Sequence, residues 1–477
     1  MSLSEWNFDV AARHVRSKVV LPEPLARWDG ASIDTRTLKT GEVFFALRGR
    51  NRDGHDCLHE AFRKGASGAV IREDYMRNER ESIFRERSLF HNLIPVAKPE
   101  EALGVLSAHY RGLFSAVPVA ITGSVGKTSV KEFTRFLLSQ KYPILATSGN
   151  LNNHLGLPLT LFRLKPEHQY CVAELGANHK GEIRKLASFL KPRVGVITGV
   201  SPAHLEGFGN LDGIYEAKLE LASSLTREKG TLVLPDRDPE LIGRARRRKI
   251  PILLFGRERT SDFHLTGAEA RDGWVQFEVN QRWSFRFPGY AAFQAENALA
   301  ALAACFACGV LPSHLPAVWN DVEFPHGRFE VILSGDGITL VDDCYNANPH
   351  SCERALDAFE ALGSGGRRIL VLGDMLELGG ESTFHHRTLG EKIVSRGFQA
   401  LLATGEAMKE TVLACERAGN PPLALHFEDK AMLSHFLTSF LRSGDQVLFK
   451  ASRGIQLEEV IRALSVPLSL TGTQPRL

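Results

Sequence analysis

The chain has 477 residues, of which 43% are hydrophobic and 24% are charged, and these ordinary values exclude a disordered or fibrous protein. One hydrophobic core does not normally fill a chain of this length, so we expect about two to four domains. With 58 basic and 55 acidic residues, the formal net charge is only +3. No strong overall field would attract nucleic acid or an acidic membrane, so any anion must be bound locally.

The cysteines and the apolar runs bear on the cellular compartment. Seven cysteines, an odd number in a long chain, favour a reducing compartment over a disulfide framework. Cys305 and Cys308 have a redox-like spacing, but their alanine-rich surroundings favour a packed helix over a redox site. The start of the chain lacks the apolar core of a signal peptide, and no uncharged apolar run reaches about 18 residues. We therefore expect a cytoplasmic protein without membrane insertion.

The first two segments differ in pattern. Residues 1–97 contain the short apolar runs EVFFALRG and GAVIRED and then RNERESIFRERSLFHN, which resembles a surface excursion, so a small α/β domain is predicted. Residues 98–326 alternate strands and helices in VPVAITG, KTSVKEFTRFLLSQ, YCVAELGA, GEIRKLASFL and VGVITGV, which predicts a parallel sheet covered by helices. Within them, GWVQFEVN and WSFRFPG predict an antiparallel appendage before the helix NALAALAAC. The run RARRRK favours a solvated helix face over a basic binding site.

A second alternating series fills residues 327–477. It runs through ITLVDD, SCERALDAFEAL, RRILVLGDM, STFHHRTLGEKIVSRG, ALLATG and DQVLFKAS. This pattern predicts an independent doubly wound, Rossmann-like domain.

The segment VPVAITGSVGKTSVKEF has the context that a phosphate loop requires, an apolar strand before it and a helix after it. Glycines let backbone N–H groups surround an anion, Lys127 can reach the terminal phosphates, and the Thr128 hydroxyl can bind magnesium. The strict pattern places a glycine where Ile121 stands, so a glycine-rich turn with a surface lysine is the alternative. The predicted ATP-binding residues of the loop are Gly123, Ser124, Val125, Gly126, Lys127, Thr128 and Ser129.

Glu174 follows a predicted strand in YCVAELGANHKGEI. A phosphate-bound magnesium ion usually takes a carboxylate from a neighbouring strand end, which makes Glu174 a candidate ligand. A solvated loop glutamate is the alternative.

Several motifs resemble those of one family, the Mur ligases. TGSVGKTS, SGNLNNHLGLPLTL, AELGANHKGEI and SPAHLEGFGNLDGIYEAKLEL follow one another as they do in that family. DDCYNANPHS, VLGDMLELG and KASRG resemble the C-terminal signatures of the members that add D-alanyl-D-alanine to UDP-N-acetylmuramoyl-tripeptide. The stretch SIDTRTLKTGEVFFALRGRNRDGHD is similar to their UDP-sugar-binding domain, so the resemblance covers nearly the whole chain.

The resemblance implies three domains: an N-terminal one that binds UDP, a central ATPase-type one, and a C-terminal Rossmann-like one that binds the incoming dipeptide. It implies an ATP-dependent carbon–nitrogen ligase of peptidoglycan and cell-wall biosynthesis, and so a role in cell shape, cell division and the cell cycle. The expected reaction passes through an acyl phosphate and gives UDP-N-acetylmuramoyl-pentapeptide, ADP and phosphate. We also expect a monomer and no nucleic-acid partner.

The resemblance also implies roles for individual residues. One magnesium ion is expected near Thr128 and Glu174, and a second near His204 and Lys218, with Lys218 carried as a carbamate. Without the motif, His204 would suit a structural histidine and Lys218 a lysine on an amphipathic helix. The implied catalytic residues are Lys127, His204, Lys218 and Arg328.

Further implied contacts lie outside the magnesium sites. Asn297, Arg328 and Asp343 match positions for adenine, γ-phosphate and ribose; a helix cap, a surface ion pair and a turn residue are the alternatives. The implied dipeptide-binding residues are Asp374, Lys450, Ser452 and Arg453. The implied UDP-binding residues are Ser32, Thr35 and Arg36, although SIDTR also suits a capped turn.

The chain departs from the family pattern in three places. Cys344 stands where serine is usual, and Ala451 replaces a glycine. FQAENALAA lacks the His-Asn pair that often precedes the asparagine, which predicts an adenine pocket of different construction.

The competing hypotheses are a related amide ligase, a scaffold that has lost turnover, and a P-loop kinase or ATPase. DDCYNANP and GDMLELG argue against the first, and the intact phosphate loop, Glu174, His204 and Lys218 argue against the second. The third predicts ATP consumption that does not depend on an amine.

Overall fold

The computed structural model describes residues 6–23, 26–49, 51–225, 230–334, 336–363, 365–419 and 421–465. These residues form three sheets, and each sheet takes its strands from one of the three predicted segments. The domain boundaries at residues 97 and 326 stay predictions. At the boundary after residue 97, helix α5 (Pro99–Arg111) packs against elements of both the N-terminal and the central segments.

The N-terminal sheet has four parallel strands in the order β1-β2-β3-β4. Its strands are β1 (Gly30–Ser32), β2 (Glu42–Phe45), β3 (Gly68–Arg72) and β4 (Leu93–Val96). The helices before α5 are α1 (Phe8–His14), α2 (Leu58–Arg63), α3 (Glu73–Asn78) and α4 (Arg80–Arg85). The Arg-rich stretch predicted as a surface excursion contains α4, and it is anchored because Ile83 and Phe90 are buried.

The central sheet has nine strands in the order β13-β12-β11-β10-β9-β8-β5-β7-β6. The parallel part comprises β5 (Val117–Thr122), β6 (Ile144–Ala146), β7 (Tyr170–Glu174), β8 (Val194–Ile197), β9 (Thr231–Pro235) and β10 (Ile252–Gly256). The predicted antiparallel appendage is formed by β11 (Phe263–Arg271), β12 (Trp274–Val279) and β13 (Trp283–Pro288). β5 and β7 are almost wholly buried, as expected for parallel strands with helices on both faces.

Eight helices of the described residues belong with this sheet. They are α5, α6 (Lys127–Ser139), α7 (Gly156–Leu161), α8 (Glu182–Leu190), α9 (Leu205–Phe208), α10 (Leu211–Ser224), α11 (Pro239–Arg246) and α12 (Gln294–Ala307). The alanines of α12 let it pack closely against α6 and the sheet, and Cys305 is one of its buried side chains. Arg246, Arg247 and Arg248 are exposed, as predicted for a solvated face, whereas Arg244 on α11 is largely covered and pairs with Glu240, Asp212 and Glu216.

The C-terminal sheet has six strands in the order β14-β15-β19-β16-β17-β18. The strands are β14 (Glu330–Leu333), β15 (Thr339–Asp342), β16 (Arg368–Gly373), β17 (Ala400–Thr404), β18 (Leu423–Phe427) and β19 (Gln446–Lys450). The helices are α13 (Pro349–Ala361), α14 (Ser382–Ser395), α15 (Met408–Glu416), α16 (Lys430–Phe440) and α17 (Glu458–Ser465). Only β14 runs antiparallel among these described strands, so the sheet is doubly wound as predicted. No helix in the described part of the chain has the length and apolar character to span a bilayer.

Trp319 is the largest of the fully buried side chains in the central domain. Its ring centroid lies 5.4–5.9 Å from those of Phe133, Phe277, Phe285 and Phe287. The indole thus joins helix α6, which begins at the phosphate loop, to the antiparallel appendage.

Replacing Trp319 by alanine should lower the free energy of unfolding of the central domain by about 3–5 kcal/mol, because the cavity left behind cannot collapse fully. Urea unfolding followed by circular dichroism measures this change. The exposed Phe384→Ala is the matched control and should change the free energy by less than about 0.5 kcal/mol. Equal effects of the two substitutions would contradict the packing described for Trp319.

Candidate active site

A cavity of about 660 Å³ lies between the central and C-terminal domains. The central domain contributes the loop at residues 124–129, the end of β7 and the start of α12. The C-terminal domain contributes Arg328, Asp343, Tyr345 and Lys450. Both domains are therefore needed to complete the cavity.

The phosphate loop connects β5 to α6 and requires its two glycines. Gly123 and Gly126 have φ angles of +145° and +85°, a region that other residues rarely adopt. A Cβ at Gly123 would lie 2.1 Å from Thr198 Oγ1, and one at Gly126 would lie 2.6 Å from Asn297 Oδ1. The loop thus brings backbone N–H groups and the N-terminus of α6 to the cavity, the arrangement that binds phosphate.

Lys127 lies at the start of α6 and lines the cavity. Its Nζ donates to the Gly123 carbonyl oxygen at 2.9 Å. Burial lowers the pKa of Lys127, the Glu174 carboxylate opposes this, and the Arg328 charge lowers the pKa further. The charged groups of Lys127, Glu174 and Arg328, all three singled out by sequence analysis, therefore lie close enough to act on one another.

Thr128 is the point where three parts of the molecule meet. Its Oγ1 donates to Glu174 Oε2 at 2.7 Å and accepts from Arg328 Nη2 at 2.7 Å. Asn152 Nδ2 donates to the other carboxylate oxygen of Glu174 at 2.8 Å. The structure thus brings together the predicted magnesium ligands of the first site and the predicted γ-phosphate arginine.

His204 directly precedes helix α9 and contacts the C-terminal domain. Its Nδ1 forms a short contact with Glu377 Oε2, and the Glu206 N–H donates to the Glu377 carbonyl oxygen at 3.3 Å. Burial and the nearby Lys127 charge lower the pKa of His204, whereas Glu377 raises it. Sequence analysis found His204 but not Glu377, although Glu377 lies within the quoted motif GDMLELG.

Lys218 is buried on α10, and its Nζ lies 5.1 Å from the centroid of the Phe208 ring. Within the described residues, its Nζ has no hydrogen bond or ion pair. Burial is the main cause that lowers the pKa of Lys218 to about 7, Lys127 lowers it further, and Glu182 and Glu220 oppose the shift. A large fraction of neutral amine near pH 7 follows.

The start of α12 forms the other end of the large cavity. Asn297 Nδ2 donates to Gln294 Oε1 at 2.6 Å, so Gln294 orients the predicted adenine-binding amide. Phe293 lies near the position where family members often have the His-Asn pair. The Arg354 guanidinium packs on its ring, 4.8 Å from the ring centroid. Arg354 also bonds to Glu296 at 2.9 Å. Gln294 lies within the quoted FQAENALAA and Arg354 within SCERALDAFEAL, but sequence analysis assigned a role to neither side chain.

Asp343 and Lys450, predicted for ribose and dipeptide respectively, form an ion pair of 2.5 Å. Lys450 Nζ also donates to the Asn346 carbonyl oxygen at 3.0 Å, and Asp343 Oδ1 accepts from the Phe329 N–H at 3.1 Å. Burial alone would lower the pKa of Lys450, but the nearby Asp343 charge outweighs this effect and the pKa is raised. The ammonium of Lys450 is thus engaged in holding the loop after β15.

The other residues predicted for the dipeptide separate into two groups. Asp374 Oδ1 accepts from the Met408 N–H at 2.8 Å and lines neither this cavity nor the smaller one beside it. Ser452 and Arg453 do line that smaller cavity of about 240 Å³, next to His204. Sequence analysis therefore placed in one group residues that the structure separates.

The residues predicted to bind UDP lie in a turn of the N-terminal domain. Ser32 Oγ donates to the Asp34 carbonyl oxygen at 3.0 Å, and Thr35 Oγ1 donates to Glu60 Oε2 at 2.9 Å. Arg36 pairs with Asp34 at 2.6 Å, and its hydrogen bonds are the main cause that lowers the pKa of Asp34 to about 2. The capped turn is present, and UDP binding by these residues stays a prediction.

Two family models match the chain. The "Mur ligase middle domain" matches residues 121–305, and the "Mur ligase, glutamate ligase domain" matches residues 327–453. The chain belongs to the Mur ligase family. The resemblance noted from the sequence motifs is therefore confirmed.

Relatives extend the similarity over nearly the full length of this Mur ligase. The UDP-N-acetylmuramoyl-tripeptide--D-alanyl-D-alanine ligase of Escherichia coli (strain K12) is 33% identical over 91% of this chain and 93% of its own. The protein of the same name from Bacillus subtilis (strain 168) is 30% identical over 92% of this chain and 94% of its own.

Solved structures agree with the fold of this Mur ligase. A crystal structure of MurF from Acinetobacter baumannii has a TM-score of 0.83 at 28% identity, with 96% of this chain and 98% of that chain covered. The MurF ligase of Thermotoga maritima in complex with ADP has a TM-score of 0.79 at 27% identity, with 93% and 98% covered. The predicted three-domain α/β architecture is confirmed.

The low pKa of Lys218 predicts how the stability of this Mur ligase changes with pH. In an unfolded chain the lysine pKa is about 10.4, so between about pH 7 and pH 10 the unfolded state binds more protons than the folded one. The free energy of unfolding should therefore gain a contribution from Lys218 that rises with pH across this range.

Lys218→Met should reduce that rise when urea unfolding is measured at pH 7 and pH 9.5 in buffers purged of carbon dioxide. Lys141→Met replaces an exposed lysine and is the control, which should keep the wild-type pH dependence. An identical pH dependence in Lys218→Met and wild type would contradict the assigned environment of Lys218.

Proposed function

We propose that this Mur ligase joins D-alanyl-D-alanine to UDP-N-acetylmuramoyl-tripeptide and converts ATP to ADP and phosphate. The observation that carries the proposal is the cavity in which the phosphate loop of one domain faces Arg328 of the other. Relatives of that printed name, aligned over about nine-tenths of both chains, support the same substrates. The product is the pentapeptide precursor of peptidoglycan, so the enzyme serves cell-wall formation, cell shape and division.

The chemistry explains why such a cavity is required. A carboxylate is a poor electrophile, so the tripeptide carboxylate must first attack the γ-phosphorus of ATP and release ADP. The acyl phosphate then reacts with the dipeptide amine, an amide bond forms, and phosphate leaves. The first step brings two anions together, so positive groups must offset their repulsion and hold the reacting atoms in line.

The phosphate loop and Arg328 supply these positive groups. The N-terminus of α6 and Lys127 face the phosphates from the central domain. Arg328 reaches the Thr128 hydroxyl from the C-terminal domain, and its planar guanidinium can bind two oxygens of a transferring phosphoryl group. Its ring contact with Tyr345, 4.1 Å from guanidinium to centroid, fixes the plane of that group.

The oxygen donors around Thr128 fit a magnesium ion. Mg²⁺ prefers oxygen ligands, keeps several waters and takes only one or two carboxylates from a protein. At the phosphate loop, the Thr128 hydroxyl and the Glu174 carboxylate offer two oxygen ligands that lie 2.7 Å apart. The described residues contain no cluster of three or more His, Cys, Asp or Glu that would hold a metal alone, which suits an ion shared with phosphate. When bound, magnesium supplies charge neutralisation of the phosphates.

We further propose a second magnesium position near His204 and Lys218, with Lys218 carried as a carbamate. Carbamate formation needs a neutral amine, and burial provides one because it lowers the pKa of Lys218 to about 7. The ammonium first loses one proton; the neutral amine nitrogen then bonds to the carbon of carbon dioxide and releases a second proton, so that a cation becomes an anionic oxygen ligand. His204 and Lys127 lie close enough to influence this group.

The nucleotide lies along the cavity in this proposal. Asn297, fixed by Gln294, recognises the adenine, and Asp343, fixed by Lys450, bonds to the ribose. An asparagine side chain can bond to both N6 and N7 of adenine. The N-terminal domain, through Ser32, Thr35 and Arg36, holds the UDP moiety.

A reducing compartment suits the protein, because all seven cysteines are free. We therefore propose that the enzyme works in the cytoplasm, and we propose that it is a monomer, as expected from the resemblance. Gel filtration with light scattering would test the monomer directly.

The first test of function is phosphate release from ATP with UDP-N-acetylmuramoyl-tripeptide, with and without D-alanyl-D-alanine, combined with mass detection of the product. Release that requires both substrates and yields pentapeptide is expected. Release that ignores the dipeptide would contradict the proposal and favour a P-loop kinase or ATPase.

Lys127→Ala should reduce the rate of pentapeptide formation by at least about a thousandfold, because it removes a cation from the transferring phosphoryl group. The assay is the same mass detection of pentapeptide. Lys141→Ala changes an exposed lysine just beyond the end of α6 and should leave the rate unchanged. Near-normal turnover of Lys127→Ala would rule out the site assignment.

Carbon-13 NMR tests the carbamate. Wild-type protein equilibrated with ¹³C-bicarbonate should show one carbamate resonance that is absent from Lys218→Arg, because the guanidinium of arginine does not become neutral in proteins. A resonance that persists in Lys218→Arg would place the carbamate on another amine.

A further inference from the structure

The first turn of helix α12 carries two amide side chains of the large cavity but begins without a local cap. The residue before the helix, Phe293, has no polar side-chain atom that could bond to the free N–H groups of this turn. Gln294 and Asn297 lie on the turn, bond to each other and line the cavity. The positions of both amides therefore depend on contacts that hold the turn from outside the helix.

Arg354 supplies such contacts from the other domain. It lies on α13 and lines the large cavity, and its side chain is only 14% exposed. Its Nη2 donates to the Phe293 carbonyl oxygen at 3.2 Å and to Glu296 Oε2 at 2.9 Å. The same guanidinium packs on the Phe293 ring. One planar group thus holds the backbone, the ring and the carboxylate at the start of α12, a combination that suits arginine better than lysine.

Glu296 also ties this turn to the central domain. It pairs with Arg237, which follows β9, at 2.5 Å and with Arg257, which follows β10, at 3.3 Å. Burial alone would raise the pKa of Glu296, but the charges of Arg354 and Arg237 outweigh this effect and the pKa is lowered. The ionised carboxylate therefore joins the start of α12 to two strand ends of its own domain and to one helix of the C-terminal domain.

The two amides on this turn complement the edge of an adenine base. Gln294 Oε1 accepts from Asn297 Nδ2, so Asn297 Oδ1 and Gln294 Nε2 are left as one acceptor and one donor. Neither of these two atoms has a hydrogen-bond partner among the residues that the structure describes. Adenine presents an N6 amino donor beside a ring-nitrogen acceptor. Reading that edge requires the two amides to keep their relative position.

We propose that Arg354 is a positioning residue for nucleotide binding, which holds the first turn of α12 so that Gln294 and Asn297 recognise adenine. The proposal rests on the proposed ligase function, in which the start of α12 binds the base. It accounts for an adenine pocket without the His-Asn pair, because an arginine of the other domain holds the helix start instead. Base recognition is then complete only when the two domains meet.

The first test is the binding of ADP to Arg354→Met, measured by isothermal titration calorimetry with magnesium present. The Kd for ADP should rise about ten- to a hundredfold, the range for loss of hydrogen bonds from a charged group. The Kd for inorganic pyrophosphate should stay within about twofold of wild type, because the phosphate loop binds that end of the nucleotide. Circular dichroism first establishes that the variant is folded.

Arg396→Met is the matched control. Arg396 lies on α14 of the same domain, is 17% exposed and pairs with Asp357 and Glu360 of α13, but lines neither cavity. Its replacement should leave the Kd for ADP unchanged. Arg354→Gln keeps a neutral donor for the Phe293 carbonyl oxygen and is the second variant, with a smaller loss of affinity in the same direction.

Base preference separates a positioning role from a general structural one. IDP has a keto oxygen in place of the N6 amino group of ADP, so wild type should bind IDP at least about tenfold more weakly than ADP. In Arg354→Met this preference should fall below about threefold. In the ligase assay the KM for ATP should rise, whereas the KM values for UDP-N-acetylmuramoyl-tripeptide and D-alanyl-D-alanine should stay within about twofold of wild type.

The outcomes distinguish this inference from the function on which it rests. Unchanged ADP affinity or unchanged base preference in the folded Arg354 variants, with pentapeptide formed by wild type, would overturn the inference and leave the ligase function standing. Equal losses of affinity for ADP and pyrophosphate would also overturn it, because they indicate a general disturbance of the site. Absence of pentapeptide from wild type would overturn the ligase function, whereas the ADP and IDP measurements need no turnover and would still decide the role of Arg354.

Discussion

The hydrogen bonds at Thr128 are the interaction on which the active site depends. One hydroxyl joins the first turn of α6, the end of β7 through Glu174, and the C-terminal domain through Arg328. A ligase that activates a carboxylate must hold two anions together, and the positive groups that offset their repulsion come here from two domains. Because Arg328 reaches the Thr128 hydroxyl from the other domain, the reaction depends on the relative position of the two domains.

The rest of the site follows the same division between domains. To the two cavities the central domain supplies the phosphate loop and His204, and the C-terminal domain supplies Arg328, Asp343 and Glu377. Catalysis therefore requires the two domains to meet, and their meeting also excludes water, which would otherwise hydrolyse an acyl phosphate. Several contacts across this boundary are polar, so a modest change in domain position can break them.

Local sequence patterns predicted much of the fold. Continuous apolar runs predicted β5 and β7, and the glycines and lysine after β5 predicted the phosphate loop, because such features need only neighbouring residues. The pairs Arg328–Thr128 and His204–Glu377 lie 200 and 173 residues apart. Sequence analysis named Arg328 and Thr128 separately and missed Glu377, because contacts between domains depend on domain positions that no local pattern records. For the same reason, sequence analysis did not predict that Lys450 pairs with Asp343, and its contact with the dipeptide stays a prediction.

The central claim is that the tripeptide carboxylate attacks ATP in the cavity between Lys127 and Arg328. The most direct test uses UDP-N-acetylmuramoyl-tripeptide labelled with ¹⁸O in the reacting carboxylate, followed by mass spectrometry of the released phosphate. The account predicts one ¹⁸O atom in each phosphate, because the carboxylate oxygen that attacks phosphorus leaves with it. Phosphate without label, formed together with pentapeptide, would contradict the account.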